Sequence, residues 1–177
     1  MGVQIKDKKF EIYISEAELQ KSISRLAKQI NTDYKGREVI FIGVLNGAFM
    51  FASELMKDIN LPCEISFVKV SSYKGTSSTG RVHELIGLVN DIKNKHVIII
   101  EDIVDSGLTL NKLNSIIDHQ SPLSAEVATM LFKPTAFKGK KPPKYVGLEI
   151  PNKFIVGFGL DYLEEGRNTR DIYKLTE

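Results

Sequence analysis

The sequence predicts an α/β protein, a mostly parallel central sheet flanked by helices, and three observations carry that reading. Residues 97–100, Val-Ile-Ile-Ile, are a short uninterrupted β-branched apolar run, the pattern of a strand buried on both faces. Residues 39–45 and 125–132 are further apolar runs of strand length. Between them the apolar residues change to helical spacing, in Phe49, Phe51, Leu55, Met56 and Ile59, and again in Leu108, Leu110, Leu113, Ile116 and Ile117.

The bulk properties fit one domain spanning 1–177. A chain of 177 residues, 42% hydrophobic and 26% charged, can bury a sizeable core. Lys and Arg number 24 against 22 Asp and Glu, and a formal charge of +2 is too small to argue for nucleic acid or an anionic membrane, neither of which is expected as a partner. The single Cys63 permits no internal disulfide and no multi-cysteine metal site, which fits a reducing cytoplasm; in its apolar stretch it reads as an inert core residue. The first residues show neither a signal-peptide hydrophobic region nor a myristoylation pattern, so the mature chain is expected to begin near Met1. No apolar run approaches the roughly 20 residues that span a bilayer.

Taken in order, Phe10, Ile12 and Ile14 alternate with polar neighbours as a short strand does. Ser15 with Glu18 three residues on is a capping-box signature, and Leu19, Ile23, Leu26, Ala27 and Ile30 then mark one helical face. The strand 39–45 ends in Asn46-Gly47-Ala48 before the second helix. Ile65, Phe67, Val68 and Val70 indicate another strand, after which 71–81 is polar, glycine-spaced and without period, as a mobile loop is. The alternating segment 82–88 returns the chain to the sheet, and Lys133-Pro134 closes the strand 125–132. Lys138, Lys140, Lys141 and Lys144 with Pro142 and Pro143 read as a solvated connection.

The chemistry concentrates at 101–109, Glu-Asp-Ile-Val-Asp-Ser-Gly-Leu-Thr. Glu101 and Asp102 follow the strand 97–100, and ligands of open α/β sheets bind beyond the carboxyl ends of strands. Asp105 to Thr109 straddles a helix start, whose unpaired amides, dipole and the Ser106 and Thr109 hydroxyls suit a phosphate, while Gly107 admits close backbone approach. Three acids beside a phosphate cradle must be reconciled with it. Mg²⁺ does this, and so do ribose hydroxyls donating to Glu101 and Asp102. A sugar phosphate fits that order of groups.

Residues 101–109 resemble the phosphoribosyl-pyrophosphate (PRPP) motif of type I phosphoribosyltransferases, most closely the hypoxanthine-guanine branch, which keeps an acid at the place of Asp105. The likeness runs from about Phe10 to Leu175. It implies the fold of that family, with a small hood lobe formed by the terminal segments. It also implies that Glu101, Asp102, Asp105, Ser106, Gly107, Leu108 and Thr109 bind PRPP, with Asp105 as general base or acid near N7 of a purine. Leu45, Asn46 and Gly47 match the pyrophosphate loop, often Leu-Lys-Gly, in which the peptide after Leu can be cis. Asn46 departs from that pattern and removes one positive charge.

By the same resemblance Ser72 and Tyr73 belong to a lid that shields the reaction from water. Lys133 donates to the purine O6, Phe154 stacks on the ring, and Ile155 reads its edge through the backbone. Asp161 holds Mg²⁺ together with Glu101 and Asp102, and Arg167 neutralises pyrophosphate. The activity implied is Mg²⁺-dependent transfer of phosphoribosyl from PRPP to hypoxanthine or guanine, giving IMP or GMP and pyrophosphate in purine salvage, by a cytoplasmic homodimer or homotetramer. Alternatives are a xanthine-preferring enzyme, a non-catalytic nucleotide-binding regulator and, less well supported, a receiver-type signalling domain.

Overall fold

In the computed structural model, residues 2–71, 83–86 and 91–176 are described. Strand β1 (Gly2–Ile5) pairs antiparallel with β2 (Lys8–Ile14). Helix α1 (Glu16–Asp33) begins at the Ser15 capping box, in which the Glu18 amide donates to Ser15 Oγ and the Ser15 amide donates to the Glu18 carboxylate at 3.0 Å. The face it buries is the one its spacing predicts, Leu19, Ile23, Leu26, Ala27 and Ile30.

The remaining elements are β3 (Val39–Leu45), α2 (Phe49–Lys57), β4 (Cys63–Ser71), β5 (His83–Ile86), β6 (His96–Val104), α3 (Leu108–Asp118), β7 (Ser124–Phe132), β8 (Tyr145–Glu149), β9 (Ile155–Val156) and β10 (Ile172–Leu175). Six strands form the main sheet in the order β5-β4-β3-β6-β7-β8. All neighbours in it are parallel except the edge pair β4 and β5. The expected mostly parallel sheet is therefore present. A second sheet, β1-β2-β10-β9, joins the two ends of the chain and is the small lobe.

Burial follows from the strand sequences. Successive side chains of a strand point to opposite faces, so Ile98 and Ile100 pack with α1 and α2, while Val97 and Ile99 pack with Leu110, Leu113 and Ile117 of α3. A strand covered on both sides needs apolar residues at every position, which is why β3 and the first half of β6 read as unbroken runs. The lobe has its own cluster of Ile5, Phe10, Val156 and Tyr173.

Two expectations fail locally. Cys63 is exposed, because it opens β4 at the rim of the sheet and not within its centre. Leu108, grouped with the apolar spacing of α3, is 67% exposed: it stands two residues before Leu110, about 200° round the helix, and so on the face opposite Leu110, Leu113 and Ile117. The lid residues Ser72 and Tyr73 lie outside the described residues, as does most of the segment 71–81.

The end of α1 is tied to β8 by a polar contact at the edge of the core. Tyr145, fully buried, donates its hydroxyl to Asp33 at 2.8 Å, and Lys144 stands 3.1 Å from the same carboxylate. The Tyr145 hydrogen bond, then Lys144, hold the Asp33 carboxyl below its usual range. A depressed carboxyl stabilises the fold above its unfolded pKa, and that contribution fades as pH falls through the folded value. Asp33→Asn is therefore expected to cost about 0.5–1 kcal/mol at pH 7. Urea unfolding should show the gap closing below about pH 4; an equal gap at pH 7 and pH 3 would contradict the assignment.

Candidate active site

The strand order reverses between β3 and β6: from β3 the chain first turns to β4 on one side and later returns to β6 on the other. Such a switch point opens a crevice at the carboxyl ends of the two strands. The ladders show where it opens. Pairing of β3 with β6 stops at Gly43 opposite Ile100, whereas β6 stays paired with β7 as far as Val104 opposite Phe132. Glu101 and Asp102 thus lie within β6, where the sequence placed them after its end; the ladder to β7 holds them extended, and their other edge faces the loop after β3.

That loop is Leu45-Asn46-Gly47, and its Leu45–Asn46 peptide is cis. Gly47 is packed so tightly that a Cβ on it would run into the Asp102 carboxylate, and a Cβ on Gly159 would run into the Gly47 carbonyl. Three segments, 45–47, 101–109 and 157–167, therefore converge at one point, as the sequence reading requires.

The acids there are electrostatically unsettled. Glu101 is 5% exposed. Its burial, then the adjacent Asp102 charge, push its carboxyl well above the usual range. Asp102 is raised to about 6 by burial, against the pull of the Ile103 amide, which donates to Asp102 Oδ1 at 2.8 Å, and of Arg167. Among the described residues neither acid forms an ion pair with a basic side chain. Glu101 is buried and Asp102 half-buried, and charge on both is costly unless a cation or hydroxyl donors complete the pair.

Helix α3 begins directly beyond them. Its N-cap is Gly107, in the left-handed region at φ 82°, with no side-chain cap; α2 likewise starts at Ala48 without one. The first-turn amides of a helix have no intrahelical acceptors. In α1 the capping box satisfies the Glu18 amide, whereas α2 and α3 start at the switch point without a side-chain cap, the Phe49 amide of α2 donating to the Asn46 carbonyl at 3.4 Å. Residues 101–110 line a pocket of about 260 Å³ there. The Phe137 ring lies against Gly107, and the Lys138 amide donates to the Ser106 carbonyl at 3.1 Å.

Lys133 and Asp105, which the resemblance assigns to neighbouring purine atoms, are ion-paired to each other at 3.0 Å, with Lys133 only 6% exposed. Lys133 also donates to Asn152 Oδ1 at 3.3 Å. Arg167 is held by Asp161 at 2.8 Å, by Glu164 at 3.0 Å and by the Gly159 carbonyl at 2.9 Å, while the Glu164 amide donates to the second Asp161 oxygen. Phe154 is 48% exposed, in a T-shaped contact with Tyr162 and tilted against Phe10. Ile155 beside it is buried in β9. Asn152, Phe137 and Glu164 were not singled out from the sequence; each contributes through a partner on another segment or a loop, where no local pattern marks it.

Residues 11–163 match the phosphoribosyl transferase domain family. The chain belongs to the phosphoribosyltransferase family. It is 40% identical over 172 residues to the hypoxanthine-guanine phosphoribosyltransferase of Dictyostelium discoideum, covering 94% of this chain and 96% of that one. A crystal structure of a Staphylococcus aureus hypoxanthine phosphoribosyltransferase, 40% identical, superposes with a TM-score of 0.88 over 94% of this chain and 91% of that one. A variant of the Trypanosoma cruzi hypoxanthine phosphoribosyltransferase, solved with the product IMP, is 35% identical with a TM-score of 0.88, covering 98% and 93%. Among the described residues, no helix of this phosphoribosyltransferase is long and apolar enough to cross a membrane.

The turn at Gly107 supplies a direct check on how the phosphate cradle is built. Gly107→Ala places a Cβ at positive φ and against the Phe137 ring. It is expected to lower unfolding free energy by about 1–3 kcal/mol. A loss within the roughly 0.5 kcal/mol of an ordinary surface change would show that the turn is not constrained.

Proposed function

We propose that this protein serves purine salvage by transferring the 5-phosphoribosyl group of PRPP to N9 of hypoxanthine or guanine, forming IMP or GMP and releasing pyrophosphate. The observation that carries the proposal is the meeting, in one pocket, of Glu101 and Asp102, which form no ion pair among the described residues, with the start of α3, which has no side-chain cap. Ribose hydroxyls complete the first and a phosphate the second. The relatives named for hypoxanthine and guanine, one of them solved with IMP, support the choice of base.

In this reading the amides and hydroxyls of Ser106 to Thr109 hold the 5′-phosphate, and Glu101 and Asp102 accept from the ribose. The bond from C1′ to pyrophosphate loosens as N9 approaches, and charge moves onto the leaving group. Arg167 and the amides of Leu45, Asn46 and Gly47 receive it; Asn46 adds no charge, so Arg167 is the cation of that set. Asp105 exchanges the proton of the imidazole edge near N7. Lys133 donates to O6, an atom that adenine replaces with an amino donor, so adenine is rejected. Phe154 stacks on the ring.

Mg²⁺, when bound, neutralises pyrophosphate charge. Glu101 and Asp102 suit it as hard oxygen donors lacking a counter-ion, and Mg²⁺ binds through one or two carboxylates plus substrate phosphates in preference to a protein cage. Asp161, paired with Arg167 through one carboxylate oxygen, would be the third acid of that site. A cytoplasmic homodimer or homotetramer is part of the same proposal.

Pyrophosphate release from PRPP and Mg²⁺, with each base supplied separately, tests the reading. Turnover with hypoxanthine or guanine and none with adenine is expected. Turnover with xanthine alone, or PRPP binding without turnover, would transfer the assignment to a xanthine-preferring enzyme or to a regulator. Asp105→Asn is expected to lower kcat by about 10²–10⁴-fold with the Kd for PRPP unchanged; wild-type kcat would remove Asp105 from the chemistry.

A further inference from the structure

The Lys133 ammonium has two oxygen neighbours that differ in what a bound base does to them. Asp105 Oδ2, at 3.0 Å, belongs to the loop before α3, and the Asp105 side chain is 47% exposed. On the phosphoribosyl-transfer reading, it turns to the base. Asn152 Oδ1, at 3.3 Å, belongs instead to the turn between β8 and β9. That turn is pinned at its start, where the Ile150 amide donates to the carbonyl of Phe132, the residue before Lys133, at 2.8 Å. It is folded on itself, with the Lys153 amide donating to the Pro151 carbonyl at 2.8 Å. Two residues beyond Asn152 stands Phe154, half exposed, whose ring is the proposed stacking surface.

A lysine ammonium is a point charge with three donors on a flexible four-carbon stem, so one partner does not fix where its remaining hydrogen points. Once Asp105 engages the base, Asn152 is the remaining recorded acceptor among the described residues. We infer that Asn152 is a positioning residue for base recognition. Its amide oxygen, carried on the same turn as Phe154, holds the Lys133 ammonium at a set place relative to the stacking ring and aims its free hydrogen at a carbonyl oxygen on the edge of the stacked base. The inference rests on the transfer reading above and deepens it by assigning a base-specificity role to a residue that does not itself touch substrate.

The test is steady-state kinetics of Asn152→Ala and Asn152→Asp with hypoxanthine and guanine, together with IMP binding in a Lys133→Ala background. Asn152→Ala should raise KM for the base about five- to tenfold, as the loss of one hydrogen bond does. Its kcat, its KM for PRPP and its Tm should stay near wild type. Asn152→Asp keeps an acceptor oxygen in place and should return KM for the base to within about threefold of wild type. In the Lys133→Ala background, adding Asn152→Ala should leave the Kd for IMP unchanged, because the two residues act through one contact. Two results overturn the inference: an unchanged base KM in Asn152→Ala, or a common decline of kcat, both KM values and Tm that Asn152→Asp fails to rescue. A wild-type protein inactive with every base would instead remove the transfer reading beneath it.

Discussion

The close approach of the loop after β3 to the middle of β6 governs the site. Gly47 lies against the Asp102 carboxylate and Gly159 against the Gly47 carbonyl, so no side chain can stand at either glycine without pushing the loops apart. The contact is possible because the β3 ladder releases β6 at Ile100 while β7 keeps it extended to Val104. Sheet register thus brings two helix starts and an acid pair together, and packing of α1, α2 and α3 on both faces of the sheet holds that register.

What converges there is complementary in charge to a ligand that carries both anions and hydroxyls. Two helix N-termini without side-chain caps offer amides to phosphates. Between them, Glu101 and Asp102 are driven toward protonation by burial and lack a basic partner among the described residues. The cations nearby are already engaged by protein carboxylates, Lys133 by Asp105 and Arg167 by Asp161 and Glu164. Substrate binding in this account exchanges those internal pairs for pairs with base and pyrophosphate, and the protein holds its charges in place between turnovers.

The central architecture was legible because it is written in local patterns. Full burial demands the β-branched runs of β3 and β6, and an exposed helix start demands the Ser15–Glu18 box. The lobe was legible only through the family resemblance, since β10 pairs with β2 across the whole chain, Ile172 opposite Ile14, and no local pattern encodes that. Cys63 was misplaced because an apolar neighbourhood in sequence became the rim of a sheet. The acids of β6 were placed one step too far along, because carboxylates suggest a loop while the ladder to β7 keeps them in the strand. At the site, residue types and spacing marked 105–109 as a helix start, and the structure has α3 begin there, at Gly107. The partners of Lys133 come from two other segments, and only the fold joins them.

The central claim is that the start of α3 and the acids of β6 form a single ribose-phosphate site. Amide chemical-shift mapping of the protein titrated with ribose 5-phosphate tests it most directly. The account predicts saturable shifts at Ser106 to Leu110 and at Glu101 to Ile103, with the capped first turn of α1 unmoved. Shifts confined to other helix starts, or none at 106–110 at saturation, would contradict it.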